Sequence, residues 1–280
     1  MDIALLRTFL EVYRTRHFGN AAENLFLTQS AISARIRQLE ENLGVQLFTR
    51  DRNNIQLTPA GARFLKHAES IINAWNRARQ EMALEEESKI PVSIGGMYSL
   101  WDTLLQDWVH RIYRHFPNIA LQAEAHGSDA MIRRLLDSVL DVGFMFEAPQ
   151  VTELLVEEIG TLPLIMVATR KGLNTEQAIR EMNYIMVDWG TAFANVHARY
   201  FPDMPAPSIR MGLGRMALAF LLECGGVAYL AEPMAAPYLK DQHLFPVHEA
   251  PVIDRKVYAV YPHSSTRIEM VEKMLEFIQT

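Results

Sequence analysis

The stretch that decides the fold is TQSAISARIRQLEENL, residues Thr28 to Leu43. Its apolar residues recur at steps of four, three and four, which places them on one side of a helix: Ile32, Ile36, Leu39 and Leu43. The opposite side is small or polar, and it holds Ser30, Ser33, Ala34 and Arg37, with Gln29 and Arg35 at its flanks. Thr28 offers a hydroxyl that can cap the first turn. The pattern predicts a helix that packs on a core and presents hydrogen-bond donors outward, as DNA-reading helices do.

The residues upstream distinguish this helix from an ordinary amphipathic surface helix, which would show the same apolar spacing. Ala21, Ala22 and Leu25 lie at helical spacing, and the two alanines allow a partner helix to approach closely. The short turn Phe26-Leu27 separates this segment from the next helix. The arrangement is typical of a helix-turn-helix, whose second helix enters the major groove of DNA.

A small hairpin, or wing, is predicted after the helix. Val45, Leu47 and Phe48 alternate as a short strand, residues 51–54 have turn chemistry, and Ile55 and Leu57 alternate again. Arginines at the tip are placed to contact the DNA backbone or minor groove, although solvated turn charges are the alternative. The predicted DNA-binding residues are Thr28, Gln29, Ser30, Ser33, Arg35, Arg37, Arg50 and Arg52.

One set of residues in the first 61 forms a recognisable signature: Phe9, Phe18, Ala21-Ala22-Glu23, Leu25, Thr28-Gln29-Ser30-Ala31-Ile32-Ser33, Ile36, Leu39-Glu40, Leu43-Gly44-Val45, Leu47-Phe48, Arg50, Leu57-Thr58 and Ala60-Gly61. This set resembles, nearly without gaps, the N-terminal signature of LysR-type transcriptional regulators. Gly19 stands where the family often has Ser or Thr, and Ser30 where it often has Pro; neither departure removes a donor to DNA. Ser99-Leu100-Trp101 and Trp189-Gly190 resemble the HdfR-type subgroup, which implies a link to motility control.

A long helix is predicted to begin at Thr58-Pro59, where a capping hydroxyl precedes a proline whose missing N–H costs nothing. It is expected to run to about Glu87, roughly 30 residues or about 45 Å. A heptad seam follows its length and comprises Phe64, Ala68, Ile71, Trp75, Ala78 and Met82. A small winged domain offers little in the same chain to cover such a seam, so self-association is predicted. The family resemblance implies pairing of this helix in a homodimer, and commonly a homotetramer.

From Ile90 onward strands alternate with helices, which indicates an α/β domain. Two lobes joined by crossings near Gly160-Thr161 and Pro262-His263 resemble the periplasmic-binding-protein-like effector domain of the same family. The predicted fold class is therefore α/β, with an N-terminal winged helix-turn-helix and a long linker helix. The predicted domains are 1–58 for DNA binding, 59–88 for the linker, and 89–280 for the effector, with lobe I at about 89–160 and 264–280 and lobe II at about 161–263.

Ligands of open α/β sheets collect beyond the carboxyl ends of the strands, where helix N-termini offer free N–H groups. The predicted ligand-binding residues are Tyr98, Ser99, Leu100, Trp101, Ser128, Phe146, Glu147, Trp189 and Thr191. The serines and amides suit a carboxylate, and the aromatics suit a ring or an apolar body. Glu147 would repel an anion, so either it points away or the ligand carries an amine. The alternative is that Trp101 and Trp189 only cover the lobe cores and that Ser99 is only a helix cap.

Composition and charge argue against a disulfide-bonded, a secreted or a membrane-spanning protein. The net charge is −6, but residues 1–60 hold seven arginines, no lysine and six acidic residues, so placement of charge matters more than its total. The lone Cys224 excludes an internal disulfide and is expected to be buried. No signal peptide or membrane span is apparent, so a cytoplasmic location is expected.

No catalytic motif, metal-ligand spacing or phosphate loop is found, so no enzyme activity, metal or cofactor is predicted. The sequence instead predicts a sequence-specific regulator that binds double-stranded operator DNA, a small-molecule effector and a second copy of itself. Two alternatives remain at this point. The effector domain could be an oligomerisation scaffold without a ligand, or, against the DNA-reading head, the chain could be a solute-binding protein.

Overall fold

The computed structural model describes residues 2–51, 54–82, 89–204 and 206–279. The chain divides into two compact units, Met1–Glu85 and Glu86–Thr280. Each unit has its own hydrophobic core, as a separate domain does.

The first unit combines helices with a two-stranded wing. Its elements are α1 (Ile3–Thr15), α2 (Phe18–Asn24), α3 (Gln29–Leu43), β1 (Phe48–Asp51), β2 (Asn54–Leu57) and α4 (Pro59–Met82). The predicted helix-turn-helix is α2 and α3, and the predicted wing is the antiparallel pair of β1 and β2. Thr28 caps α3 as expected, since its hydroxyl accepts the Ala31 N–H at 3.2 Å. Gly44 ends the helix in the left-handed conformation, at φ +68°.

The first half of α4 packs into the core of this unit. Ala68 is fully buried, and Phe64 and Ile71 pack against the same cluster. The Phe64 ring lies 5.3 Å, centroid to centroid, from Phe9 of α1. The expectation that the seam has little to cover it within one chain is therefore wrong for these residues. Further along, Trp75 is 46% exposed and Met82 is 83% exposed.

The second unit is built on one mixed sheet whose strands run in the order β4-β3-β5-β11-β6-β9-β7-β8, with β10 paired to β6. The strands are β3 (Ile90–Gly96), β4 (Ile119–Ala125), β5 (Val142–Met145), β6 (Leu154–Ala168), β7 (Tyr184–Val187), β8 (Ile209–Met211), β9 (Val227–Ala231), β10 (Phe245–Pro246) and β11 (Ile253–Pro262). The helices are α5 (Tyr98–Leu100), a π-helical turn (Trp101–Leu105), α6 (Gln106–His115), α7 (Ser128–Leu136), α8 (Thr175–Glu181), α9 (Thr191–Tyr200), α10 (Gly214–Cys224), α11 (Glu232–Lys240) and α12 (Ile268–Gln279).

Two long antiparallel strands, β6 and β11, pass through both lobes. In lobe I, the start of β6 pairs with the end of β11, and that end of β11 also pairs with β5. In lobe II, the end of β6 pairs with β9. The register shifts between Val257 and Tyr258, and from Tyr258 onward β11 pairs with β5. The second crossing therefore lies within β11, before Pro262-His263, because the strand begins at Ile253 and pairs with β5 of lobe I only from Tyr258 onward.

Two local expectations were wrong. Ser99 lies inside the first turn of α5, whose cap is Met97 and has no side-chain hydrogen bond, so Ser99 is not a helix cap. Cys224 is exposed, because it is the last residue of α10 and follows the exposed Leu222 and Glu223 before the chain enters the buried strand β9. Gly225 ends that helix at φ +73°.

Candidate DNA interface and effector cleft

Helix α3 presents an exposed polar face. Thr28, Gln29 and Ser30 are exposed at its start, and the Thr28 and Ser30 hydroxyl oxygens lie 2.9 Å apart. Ser33 is half-buried and Arg37 is exposed one turn further on. The opposite side of the helix is buried, with Ile32, Ile36 and Leu39 in the core of the first unit. This geometry leaves hydroxyl, amide and guanidinium groups free to meet phosphates and base edges.

Arg35 does not share that face. It is half-buried, and its guanidinium Nη1 reaches back to within 3.5 Å of the buried Thr8 hydroxyl of α1. It also lines a groove of about 460 Å³ together with Arg7 and Trp75. The expectation that Arg35 belongs with the outer residues of the helix therefore needs correction: it lies at the α1 side. Gln38, which the sequence analysis did not single out, is exposed beside Arg37.

The wing is tied to α3 by a buried carboxylate. Glu40 accepts the Leu47 N–H at 2.8 Å and the Phe48 N–H at 3.3 Å, so the residue that enters β1 is fixed against the recognition helix. Arg50 lies in β1 opposite Ile55. The Arg50 side chain and the whole of Arg52 lie outside the described residues. Backbone geometry thus positions the strand that carries Arg50 beside α3.

In the second unit, the candidate ligand-binding residues lie in segments that follow the carboxyl ends of parallel strands. β3 is paired in parallel with both β4 and β5, so the segments that follow these three strands lie side by side. Those segments start α5 at Tyr98, start α7 at Ser128, and contain Phe146-Glu147. In lobe II, Gly190 and Thr191 follow the parallel strand β7. The convergence at the carboxyl ends of parallel strands is where α/β sheets bind ligands.

Three of the predicted ligand residues are buried in the core. Leu100 is fully buried, Trp189 is 1% exposed and Phe146 is 5% exposed. The Trp189 indole N–H donates to the Tyr229 carbonyl at 2.9 Å, and its ring lies against Gly214. Leu100 and Trp189 therefore support the lobes from inside, which is the alternative that the sequence analysis left open for the tryptophan.

The remaining candidates reach the surface. Tyr98, Glu147 and Thr191 are exposed, and Ser99 and Ser128 are half-buried. Trp101 is also half-buried, and its indole N–H donates to the Glu124 carbonyl at 2.9 Å, so it closes over the end of β4. These are the side chains that a molecule entering from solvent could meet.

Sequence reasoning missed two charged features of this unit. Arg255 on β11 is only 3% exposed, and its guanidinium lies 3.7 Å from the Glu147 carboxylate. Burial lowers the pKa of Arg255, and the neighbouring Glu147 carboxylate acts in the opposite direction. Arg215 of α10 pairs with Asp102 of the π-helical turn at 3.1 Å and so joins the two lobes. For Arg255 a signal was present, since it shares the inward side of its strand with buried neighbours.

Neither a metal-ligand cluster nor a membrane-spanning helix is present in the described ranges. Within them, no three His, Cys, Asp or Glu side chains come together as ligands for a metal ion. No helix in the same part of the chain is both long and apolar enough to cross a bilayer.

Comparison with known proteins identifies the family. Residues 3–62 match the family described as "Bacterial regulatory helix-turn-helix protein, lysR family", and residues 86–280 match the "LysR substrate binding domain". The chain is 35% identical over 285 residues to the HTH-type transcriptional regulator HdfR of Yersinia pestis (strain Pestoides F), an alignment that covers 99% of this chain and 96% of that protein.

Solved structures agree with the architecture. CbnR, a LysR family transcriptional regulator, superimposes with a TM-score of 0.74 at 17% identity, covering 100% of both chains. Full-length CbnR complexed with its target DNA gives a TM-score of 0.73 at 19% identity, covering 100% of this chain and 99% of that one. The predicted fold class is thereby confirmed. The chain belongs to the LysR family of DNA-binding bacterial transcriptional regulators.

Proposed function

We propose that the chain acts as a dimeric, sequence-specific regulator that reads operator DNA with α3 and senses a small molecule in the cleft of its second unit. The observation that carries this proposal is the exposed polar face of α3 on a buried apolar back. We further propose residues 1–58 as the DNA-binding domain, 59–88 as the linker and 89–280 as the effector domain. Since the target is chromosomal DNA, the bacterial cytoplasm is the proposed place of action, and no catalysis is part of the role.

The proposed contacts to DNA divide by chemistry. Gln29 and Arg37 have amide and guanidinium groups that match base edges, and Ser33 lies between them. Thr28 and Ser30 at the helix N-terminus suit a phosphate, because the first-turn amides and the helix dipole favour an anion there. Arginines of the wing, Arg50 and Arg52, are proposed to contact the sugar-phosphate backbone and hence to add affinity without sequence preference. Arg35 is proposed to position α3 against α1.

Pairing of chains is proposed to use the exposed part of α4. The predicted dimer residues were Phe64, Ala68, Ile71, Trp75, Ala78 and Met82. The first three contribute to the core of their own unit, so Trp75, Ala78 and Met82, all exposed, are the proposed contacts to a second copy. A two-fold dimer demands an operator of roughly palindromic half-sites.

The proposed effector cleft is lined by the candidates that reach the surface. These are Tyr98, Ser99, Trp101, Ser128, Glu147 and Thr191, with Phe146 beneath them. Leu100 and Trp189 are assigned to support rather than contact. The mixture of an apolar floor with a few convergent polar groups is typical of small-molecule sites.

The test of the proposal is a footprint of the full-length protein on DNA selected from the source genome. A triple variant, Gln29→Ala with Ser33→Ala and Arg37→Ala, is expected to lose the footprint, because each good base contact contributes about 1–3 kcal/mol. Arg180→Ala, which removes an exposed charge from α8, is the matched control and should footprint like the unchanged protein. Arg35→Ala should keep the sequence preference. A triple variant that protects the same operator at the same concentration would overturn the assignment of α3.

A further inference from the structure

Arg255 is a buried cation whose two terminal nitrogens, Nη1 and Nη2, have no hydrogen-bond partner in the described part of the chain. It is 3% exposed. The side chain shares the inward side of β11 with buried Ile253 and Val257. A guanidinium offers five N–H donors in a planar fork that matches a carboxylate. Buried donors without acceptors are costly, so a ligand that supplies acceptors there would bind favourably.

Three neighbours of the Arg255 guanidinium define its surroundings. Its guanidinium carbon lies 4.9 Å from the centre of the Phe146 ring, which covers one face. Its Nη2 is 3.7 Å from Glu147 Oε1, which is beyond hydrogen-bond length. On another side lies Gly190, where an added Cβ would be 3.3 Å from Nη2. The guanidinium therefore lies beside the residue that precedes α9.

The start of α9 is itself suited to an anion. The helix has ten residues, Thr191–Tyr200, and Gly190 at its cap position provides no side chain to satisfy the first amides. Thr191 and Ala192 are exposed, so solvent reaches this helix end. The N–H groups and the helix dipole together favour a negative group. A carboxylate held here would meet both the amides and the Arg255 fork.

The charges around the guanidinium argue against a simple anion. Glu147, 57% exposed, stands at the rim of the same site. Asp188 also faces it, as an exposed carboxylate that accepts the Gly190 N–H at 3.0 Å. With two carboxylates beside one guanidinium, a ligand that brought only negative charge would be repelled. A ligand that also carried a cationic group would pair with the exposed Glu147.

We propose that the cleft binds a free α-amino acid, with its carboxylate on Arg255 and the start of α9 and its ammonium group on Glu147. The proposal rests on the proposed function, since it names the ligand class of the same sensor cleft. The alternative is that Arg255 is only a structural cation that ties Phe146 and Glu147 to lobe II. These two roles predict different responses to added amino acids.

The experiment measures binding to the full-length protein. The proteinogenic L-amino acids are tested singly at millimolar concentration by thermal shift, and each one that raises the melting temperature is titrated by calorimetry. At least one is expected to bind. Its 2-hydroxy acid, which lacks the amine, and its amide, which lacks the carboxylate, should each bind about tenfold or more weakly. Equal binding of the hydroxy acid, or no shift with any amino acid, would overturn the proposal.

Two variants locate the site. Arg255→Met should abolish the shift, with circular dichroism as the check of folding. Glu147→Gln, on an exposed side chain that leaves the core intact, should weaken the amino acid about tenfold or more but should not weaken the hydroxy acid, from which it removes a repelling charge. The matched controls are Lys256→Gln and Glu158→Gln, which break an exposed pair, 2.7 Å apart, between the position after Arg255 on β11 and the neighbouring strand β6. Unchanged titrations in Glu147→Gln would place the ligand elsewhere.

A failure of this proposal can be told from a failure of the proposed function. Operator binding is measured on the same preparation without any amino acid. A protein that footprints its operator but binds no amino acid keeps its DNA-reading role and loses only the ligand class. A protein that binds an amino acid but selects no DNA loses the role assigned to α3.

Discussion

The recognition helix α3 and the effector cleft differ in where they place their charged groups: exposed on the helix and buried in the cleft. Helix α3 directs polar groups outward from a buried apolar side, and the proposed DNA contacts on it lie within ten residues, from Thr28 to Arg37. The cleft draws on segments from Tyr98 to Arg255 and places a guanidinium inside the protein. A surface that reads a polyanion needs exposed donors, whereas a site for a small molecule gains from desolvated ones.

The two regions also differ in what holds them. The first unit depends on local packing around one small core, in which α4 passes close to the end of β1 and β2. The cleft depends on strand pairing between lobes and on side-chain pairs that cross them. Changes confined to one unit should therefore leave the other intact, and three predictions test this comparison.

The largest effect is expected at Gly61, where α4 lies against the chain that enters the wing. A Cβ added there would lie 2.1 Å from the Leu47 carbonyl oxygen, which is backbone and cannot move aside. Gly61→Ala should destabilise the first unit by about 3 kcal/mol, at the upper end of overpacking costs. Hydrogen exchange should rise in α1 to α4 and remain unchanged in the β6 and β11 pair.

The control for this change is Gly160→Ala, at a strand position where an added Cβ meets nothing within 4 Å. It should alter the free energy of unfolding by less than about 0.5 kcal/mol. Loss of protection spread evenly over both units in Gly61→Ala would contradict the independence of the two cores.

The next largest effect is expected on dimer association through the exposed part of α4. Trp75 is 46% exposed on α4, so Trp75→Asp should leave the fold intact. If Trp75 anchors a second copy, the charge should weaken dimers by about 2 kcal/mol or more, as loss of a buried tryptophan does at interfaces. Sedimentation velocity across a dilution series measures the change. Asn76→Asp, which adds the same single negative charge at an exposed neighbouring position, is the control, and an unchanged association constant in Trp75→Asp would remove α4 from the interface.

Short-range features could be predicted from the sequence because their physics is local. The Thr28 cap and the apolar spacing of Ile32 and Ile36 each act within one helix, and both are present in the structure. Arg35 was misplaced because helical spacing alone leaves a flanking residue undecided. The Thr8 hydroxyl that receives it lies 27 positions away in the chain.

The cleft was predicted in outline but not in its chemistry. The carboxyl ends of the strands gave its location, yet Trp189 turned inward to a carbonyl 40 positions away. Arg255 was missed because the sequence analysis assigned no strand to residues 253–256, which the structure places in β11. With Ile253 included, the alternation puts an arginine on the buried side, and an inward charge in a strand is a signal of a site.

The smallest effect is expected where the lobes are joined. Arg215 and Asp102 form a pair at 3.1 Å that is partly exposed, with side chains 61% and 21% accessible, so the pair contributes no more than about 1 kcal/mol. Arg215→Gln should therefore preserve folding but raise hydrogen exchange in the π-helical turn that carries Asp102. High salt should screen the pair and bring the unchanged protein toward the variant. Arg180→Gln, which breaks the exposed pair with Glu176, should leave that turn unaffected. If Arg215→Gln exchanges like the control at low salt, the Arg215–Asp102 pair does not help to hold the two lobes together, and the paired strands β6 and β11 remain as the connection.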